Sequence, residues 1–441
     1  MSELPRGWAL ATLPELIGGD GVFSDGDWVE TKDQDPQGDV RLTQLADIGD
    51  GAWRNRSQRY MTREAADRLS CSFLRPGDVL VARMPDPLGR ACVFPGDPRP
   101  SVTAVDVCIV RPGSSSVDAR WLMWWLNTPQ IRSEVLARQA GTTRRRISRK
   151  NLAGISFPVP PLEEQRRIVA AIEEDLSRLE AAYGSLTRVQ RLLERWRFAT
   201  LAVLARHRAP QRRIGDVARV GSGATPKRDR PEYWTGGDVP WVTSGQLTRP
   251  FVTEPAAFIT QKALRETSCR VWPMGTLLVA LYGEGKTRGH CSELLIDAAT
   301  NQACAAIQIH DPDVDRAFLK LYFNATYQAN RSLSAGGVQP NLSLGLIKDM
   351  TFPCPPVTEQ RAIVARIEEE LAHADHLGDA VAEALAESAG LRRSILARAF
   401  RGEVVPQDPN DEPAKVLLDR IASVRAARPA PGRKRRVRTP A

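Results

Sequence analysis

Residues 157–174, FPVPPLEEQRRIVAAIEE, recur 195 positions later as FPCPPVTEQRAIVARIEE at 352–369, without a gap and with thirteen identities. A repeat of about 200 residues is far longer than the units of solenoids and propellers, so the chain reads as a duplicated domain and not as a stacked array. The register extends upstream. Gly141, Ile147, Ser148 and Leu152 correspond to Gly336, Leu342, Ser343 and Ile347 at the same offset, GDVLVA at 77–82 matches GTLLVA at 275–280, and Asp39 and Val40 match Asp238 and Val239. The offset drifts by only a few residues, as small loop insertions require. Two halves of some 200 residues are therefore related almost end to end, and only the C-terminal tail lies outside the duplication.

At 441 residues the chain exceeds what one hydrophobic core usually supports, and the repeat sets the number of recurring units at two. No apolar run approaches the roughly 18 residues that span a bilayer, and the start, Met1 to Pro5, lacks a charged-then-apolar signal pattern, so a cytoplasmic location is expected. The net charge of +9 is a weak pointer to nucleic acid because it is unevenly placed. Arg425, Arg428, Arg433, Lys434, Arg435, Arg436 and Arg438 have no acidic neighbour between 425 and the end, and this Pro/Arg-rich tail reads as disordered. The seven cysteines form no CxxC pair and are odd in number, which argues against a zinc site and against a disulfide framework. Cys71, Cys92 and Cys108 correspond to Cys269, Cys291 and Cys304, and they read as small buried apolar residues.

Each half opens with short β-rich segments punctuated by Gly, Pro and Asp: 77–82 and 106–110 in one, 239–243, 276–281 and 305–309 in the other. A short amphipathic helix follows at 121–127 and again at 318–324. After each Pro-Pro pair the period becomes helical, through Ile168, Ile172, Leu176, Leu179, Tyr183, Leu186, Val189, Leu193 and Trp196, and through Ile363, Ile367, Leu371, Ala374, Leu377, Val381, Leu385, Ser388, Leu391 and Ile395. Acidic and amide residues after proline suit a helix start, and Gly402 suits a stop. Helices of 40 to 45 residues would run about 60 to 65 Å at 1.5 Å per residue. One apolar stripe of that length needs a partner. The expected fold is α+β, with two α/β domains separated by two long antiparallel helices forming a coiled coil; the alternative folds each helix back on its own domain.

Catalytic constellations are missing. The stretch ALYGEGKT at 280–287 resembles a Walker A loop, but an apparent strand follows where a P-loop needs a helix, so a hairpin is expected, with Lys286 and Arg288 as candidate phosphate or base contacts. No HExxH, GxSxG or amino-methyltransferase motif is present. The candidate DNA contacts are polar loops. In the first half they are Arg54, Arg56 and Arg59, and Thr143, Arg144, Arg145 and Arg146; in the second, Lys227, Arg228, Ser244, Gln246, Gln339 and Asn341. Arg reads guanine, Gln and Asn read adenine, and clustered cations neutralise phosphate. Ordinary solvated surface is the competing reading. The copies keep their frame and differ at these tips, as two readers of different sequences would.

These segments together, with LPRGWALATL at the start, GATPKRDRPEYWTGGDVPWV, GGVQPNLSLGLIKDMTFP and LRRSILARAFRGEVVPQDPNDEPAKVLLDRI, resemble the DNA-specificity subunits of type I restriction-modification systems over residues 4 to 420. The resemblance implies a target-recognition domain at 1–161, a spacer helix at 162–207, a second recognition domain at 208–356, a second spacer helix at 357–402, and a C-terminal segment at 403–441. It implies a non-catalytic chain whose domains each read half of a bipartite, asymmetric site, with the helices fixing the gap. The implied partners are double-stranded DNA, two methyltransferase subunits and motor-endonuclease subunits, and S-adenosylmethionine, ATP and magnesium would belong to those subunits and not to this chain. Pro160, Pro161, Glu164, Gln165 and Arg166, with Pro355, Pro356, Glu359, Gln360 and Arg361, become candidates for scaffold or subunit docking. A recognition module of another defence complex, or a fused restriction-modification enzyme, is the alternative.

Overall fold

The computed structural model describes residues 4–18, 20–113, 116–141, 145–282, 289–326 and 342–427. The chain divides into two compact units, one made of residues 1–185 and 385–441, the other of residues 186–384. Each unit therefore holds one α/β domain and part of each long helix.

In the first unit an antiparallel sheet runs in the order Val22–Asp25, Val107–Arg111, Val79–Ala82, Ala91–Val93. A second sheet places Val40–Thr43 between Tyr60–Met61, antiparallel, and Ser101–Thr103, parallel. The second unit repeats this plan with one added edge strand in each sheet. Its larger sheet runs Ala218–Ser222, Cys304–Ile309, Leu277–Ala280, Cys291–Leu294, Phe251–Val252, and its smaller one Ala257–Ile259, Val239–Val242, Ala298–Thr300, Val271–Trp272.

The matched runs VLVA and LLVA occupy the same place, and strand geometry explains why both are apolar throughout. Successive side chains point to opposite faces. Val79 and Val81 enter the core containing Trp121, while Leu80 and Ala82 enter a second core with Ile48, Cys92, Phe94 and Ile109. Leu277 and Val279 likewise join the core around Phe318, and Leu278 and Ala280 join the one around Trp272. A strand covered on both faces has no polar side to show. Cys92, Cys108, Cys291 and Cys304 are buried in these strands, and burial pushes the thiols of Cys92, Cys108 and Cys304 up to about 12, so they stay protonated and inert near neutrality.

The repeated Phe-Pro-x-Pro-Pro segment joins domain to helix. Phe157 lies in strand Ser156–Val159, paired with Ala9–Thr12, and stacks 3.8 Å from Trp125 of the short helix Ala119–Leu126. Phe352 lies in strand Thr351–Pro353, paired with Gln211–Arg213, 6.1 Å from Tyr322 of the short helix Arg316–Ala325. Both phenylalanines are fully buried.

The long helices span Leu162–Ala205 and Val357–Ala399. In the first unit, Ile168, Ile172 and Leu176 from the start of one share a core with Leu396 and Ala399 from the end of the other. In the second unit the ends are exchanged: Leu204 packs with Val364 and Ile367, Arg197 pairs with Asp375, and Thr200 Oγ1 donates to Glu370 Oε2 at 3.2 Å. The pair is antiparallel. The apolar stripe is not covered throughout, however. Tyr183, Val189, Leu377 and Leu391, expected in the seam, are 40% to 53% exposed.

The second long helix stops as its sequence suggests. Gly402 adopts a φ of +76°, and its N–H and that of Glu403 return to the carbonyls of Ala399 and Arg398. The chain then forms another helix, Ala414–Ala426, which the sequence did not announce. Leu417 and Ile421 enter the core of the first unit, the Ala414 N–H donates to the Gly7 carbonyl at 2.8 Å, and Arg167 pairs with Asp411 at 2.6 Å. Arg425, grouped above with a disordered tail, is a correction: it lies in this helix and donates to the Pro14 carbonyl. The rest of the tail lies outside the described residues.

Candidate nucleic-acid interface

Three backbone hydrogen bonds gather the loops at one edge of each domain, and they are the same three in both. In the second domain Asn301 N donates to Val242 O, Leu281 N to Ala303 O, and Leu342 N to Leu281 O, at 3.0, 2.8 and 3.1 Å. In the first, Ala104 N donates to Thr43 O, Arg83 N to Asp106 O, and Ile147 N to Arg83 O, at 3.0, 2.9 and 3.1 Å. A glycine packs a fourth loop against this edge. A Cβ on Gly223 would lie 1.7 Å from the Thr300 carbonyl, and one on Gly26 would lie 2.2 Å from the Ala104 carbonyl, so only glycine fits at either place. Polar loops held on a rigid sheet edge are the arrangement that recognition uses.

In the first domain the loop bearing Arg54, Arg56 and Arg59 is organised by a buried carboxylate. Asp47 accepts hydrogen bonds from the backbone N–H of Gln44, Arg56 and Ser57, at 2.9, 2.7 and 2.8 Å, and pairs with Arg41 at 3.2 Å. Its charge is spent on the loop's own frame, which leaves Arg54 and Arg56 exposed. Arg59 donates to Gln34 Oε1 at 3.1 Å. Arg145 and Arg146 are exposed, and Arg146 closes its loop through paired backbone bonds with Ala140. Trp28, beside Gly26, is 71% exposed and donates to Glu30. Nothing in the sequence marks it, since a lone aromatic in a polar loop carries no periodic signal.

The second domain presents its cations differently. Lys227 accepts a hydrogen bond on its carbonyl from Trp234 Nε1 at 3.1 Å, and the Arg228 guanidinium lies 5.1 Å from the Trp234 ring and 5.9 Å from that of Trp241. The two tryptophans meet edge to face at 5.2 Å. This stack pre-orders an exposed arginine, so less side-chain entropy is lost when it binds. Thr225 Oγ1 donates to Gln302 Oε1 at 2.6 Å, which adds Gln302, unforeseen in the sequence, to the same edge. Gln246, proposed as a base reader, uses both ends of its amide at home: Oε1 accepts from Thr243 N at 3.1 Å and Nε2 donates to Glu254 O at 2.8 Å. Ser244 opens the same turn and is half-buried.

The Walker-like stretch extends from the end of a strand of the second domain's main sheet into residues outside the described ones. Leu277–Ala280 and Cys291–Leu294, on either side of it, are antiparallel neighbours, where a P-loop would pass into a helix. Thr143, Arg144, Lys286, Arg288, Gln339 and Asn341 lie outside the described residues.

The residues of the repeated Pro-Pro segment divide by burial. Gln165 and Gln360 are wholly buried, and each locks its helix to the cap of the preceding short helix. Gln165 accepts from Asp118 N at 2.9 Å and donates to Pro160 O at 2.9 Å. Gln360 accepts from Asp315 N at 2.8 Å and donates to Asp313 O and Pro355 O at 2.8 and 2.7 Å. Asp118 and Asp315 are the N-caps of those helices. Glu164 is buried and accepts from Trp8 Nε1 at 3.0 Å; burial holds its carboxyl above the usual range. Pro160, Pro161 and Pro355 are buried too. Arg166, Pro356, Glu359 and Arg361 are exposed and are the members of the set that a second protein could reach.

Among the described residues no cluster of three or more His, Cys, Asp or Glu is placed to hold a metal ion, and no helix is long and apolar enough to cross a membrane. Residues 210–372 match the type I restriction modification DNA specificity domain. The chain is 24% identical to the type I restriction enzyme EcoBI specificity subunit of Escherichia coli, over 74% of this chain and 76% of that protein. It is 25% identical to the EcoKI specificity subunit, over 67% and 69%. A shorter match, 30% identical, links it to the MjaIX specificity subunit of Methanocaldococcus jannaschii and spans only about a third of either chain, 34% and 35%. The fold is that of the HsdS subunit from Thermoanaerobacter tengcongensis, with a TM-score of 0.64 over 91% of this chain and 98% of that one at 21% identity. A chain from a type I R-M system gives 0.70 over 91% and 100%, also at 21% identity. With its duplicated loop edges and antiparallel helices, the chain is similar along most of its length to type I restriction enzyme specificity subunits, and its second half carries their DNA specificity domain.

Proposed function

We propose that this protein is the sequence-reading subunit of a type I restriction-modification complex, with each domain reading one half of a bipartite, asymmetric DNA site through its loop edge. The observation that carries this reading is the repeated hydrogen-bond frame beneath unlike tips. Arg54, Arg56, Arg145 and Arg146 serve one half-site, and Lys227 and Arg228, with Gln302, serve the other. The long helices set the unread gap. Their exposed apolar residues, among them Tyr183, Leu192, Phe198 and Val203, suit docking of methyltransferase subunits, together with Arg166, Pro356, Glu359 and Arg361. The same reading assigns methyl transfer, with S-adenosylmethionine, and ATP- and magnesium-dependent translocation and cleavage to partner subunits.

The test is reconstitution. The purified chain alone is expected to neither methylate nor cleave DNA, while the chain assembled with methyltransferase subunits should methylate adenine in one bipartite motif. Methylation or cleavage by the chain alone would favour a fused enzyme.

A further inference from the structure

Beside the first loop edge lies a cleft of about 510 Å³, which Arg145 alone of the candidate DNA contacts lines. Its floor is apolar, with Pro85, Leu88 and Pro129, and Arg132, Arg145 and Arg393 stand around it. Arg393 comes from the last third of the second long helix, is exposed, and has no side-chain partner among the described residues. Arg132 is committed to Asp50 at 2.9 Å and to Asn127 Oδ1 at 2.8 Å, so it stiffens the wall and neutralises one of the two carboxylates there. Asp86 is the other carboxylate.

More positive charge stands behind the wall. Arg392 donates to the Asp50 carbonyl at 2.8 Å and sits 5.6 Å from the Trp124 ring. Gly51, at a φ of +82°, admits this packing because a Cβ there would lie 2.3 Å from that ring. Burial first, and then the charges of Arg54 and Arg132, lower the pKa of Arg90; burial is also the largest influence lowering that of Arg132, with Arg392 adding to it. Cations crowded to this degree, with one carboxylate spent on Arg132 and one left, create a field that an anion relieves.

We propose that this cleft seats one backbone phosphodiester of duplex DNA flanking the first half-site, with Arg393 and Arg145 on the phosphate and the adjoining deoxyribose against the proline-lined floor. A sugar-phosphate unit has the required chemistry, one anionic edge and one apolar face. The proposal rests on the reading of this chain as a DNA-recognition subunit. It adds that the end of a spacer helix touches DNA directly and that this contact positions without reading sequence.

The test uses the full chain assembled with its methyltransferase subunits. Arg393→Ala should weaken binding about tenfold on every sequence, the loss expected of one charge-assisted hydrogen bond. It should also make the salt dependence shallower by about one ion and abolish ethylation interference at a single phosphate beside one half-site, with the methylated motif unchanged. Asp86→Asn should act in the opposite direction and tighten binding. Unchanged affinity and salt slope in Arg393→Ala, or an altered motif, would overturn the proposal. So would inorganic phosphate or a mononucleotide binding the DNA-free chain through Arg393 while duplex binding ignores the substitution. Failure of the unaltered complex to select any bipartite site would instead sink the recognition reading itself.

Discussion

The two loop edges share a backbone and reach their cations by different routes. In the first, a buried Asp47 draws three backbone N–H groups into a fixed loop and leaves Arg54 and Arg56 to solvent. In the second, the corresponding turn is held by the amide of Gln246, and the arginine offered, Arg228, is ordered by Trp234 and Trp241. Duplication supplied the frame, and divergence acted on what the frame holds out. A reader built this way changes its target without changing its fold, because the sheet cores never meet the loop tips.

The largest expected effect tests the shared part. Gln165→Leu and Gln360→Leu each leave buried backbone groups without partners, at a cost of about 2 to 4 kcal/mol. Gln360 bonds three backbone groups and Gln165 two, so Gln360→Leu should lower Tm more. A negligible shift in either variant would show that its domain is not bolted to its helix through this amide, and equal shifts that the third bond of Gln360 adds nothing.

The divergent part comes next. Arg54→Ala with Arg56→Ala should relax one half-site, and Lys227→Ala with Arg228→Ala the other, at roughly 1 to 3 kcal/mol for each bidentate arginine–base pairing that the substitution removes. Binding to libraries randomised in one half-site at a time separates the two. If either pair degraded both halves equally, the domains would not be independent readers.

A smaller effect concerns Glu164, which has a raised pKa, while its counterpart Glu359 is exposed. The raised value means that Glu164 stabilises the fold when protonated. That contribution is complete below its unfolded pKa of about 4.3 and is lost as pH rises through the higher folded value. Glu164→Gln keeps an acceptor for the Trp8 indole and removes the charge, so stability should lose part of its decline over that window. A denaturation series across mildly acidic pH checks this, and an unaltered decline in Glu164→Gln would show that the buried carboxyl does not carry it.

Much of this frame was legible because it is periodic or repeated. The 195-residue echo located both helix starts, the runs VLVA and LLVA located both central strands, and the Pro-Pro-x-x-Glu-Gln-Arg pattern marked the joints. Burial was not legible there. Gln165 and Arg166 look equally polar in sequence, yet only the fold shows one sealed against a helix cap and the other in solvent. Tyr183 and Leu377 fit the helical stripe but are exposed, since period alone does not say where a partner helix covers it. The helix Ala414–Ala426 has only three buried residues and packs on the chain's opposite end, a long-range contact that no local pattern announces. Gln302 and Trp28 reached the loop edges through tertiary placement alone.

If two different readers are spaced by the long helices, mapping adenine methylation at base resolution will show it in cells carrying the natural chain or one with a heptad removed from each long helix. Seven residues shorten a helix by about 10.5 Å, close to three base pairs of duplex. The expected result is one bipartite motif whose two half-sites persist in both strains while the gap between them shortens. An unchanged gap, or a single contiguous motif in either strain, would mean that the helices do not space two readers.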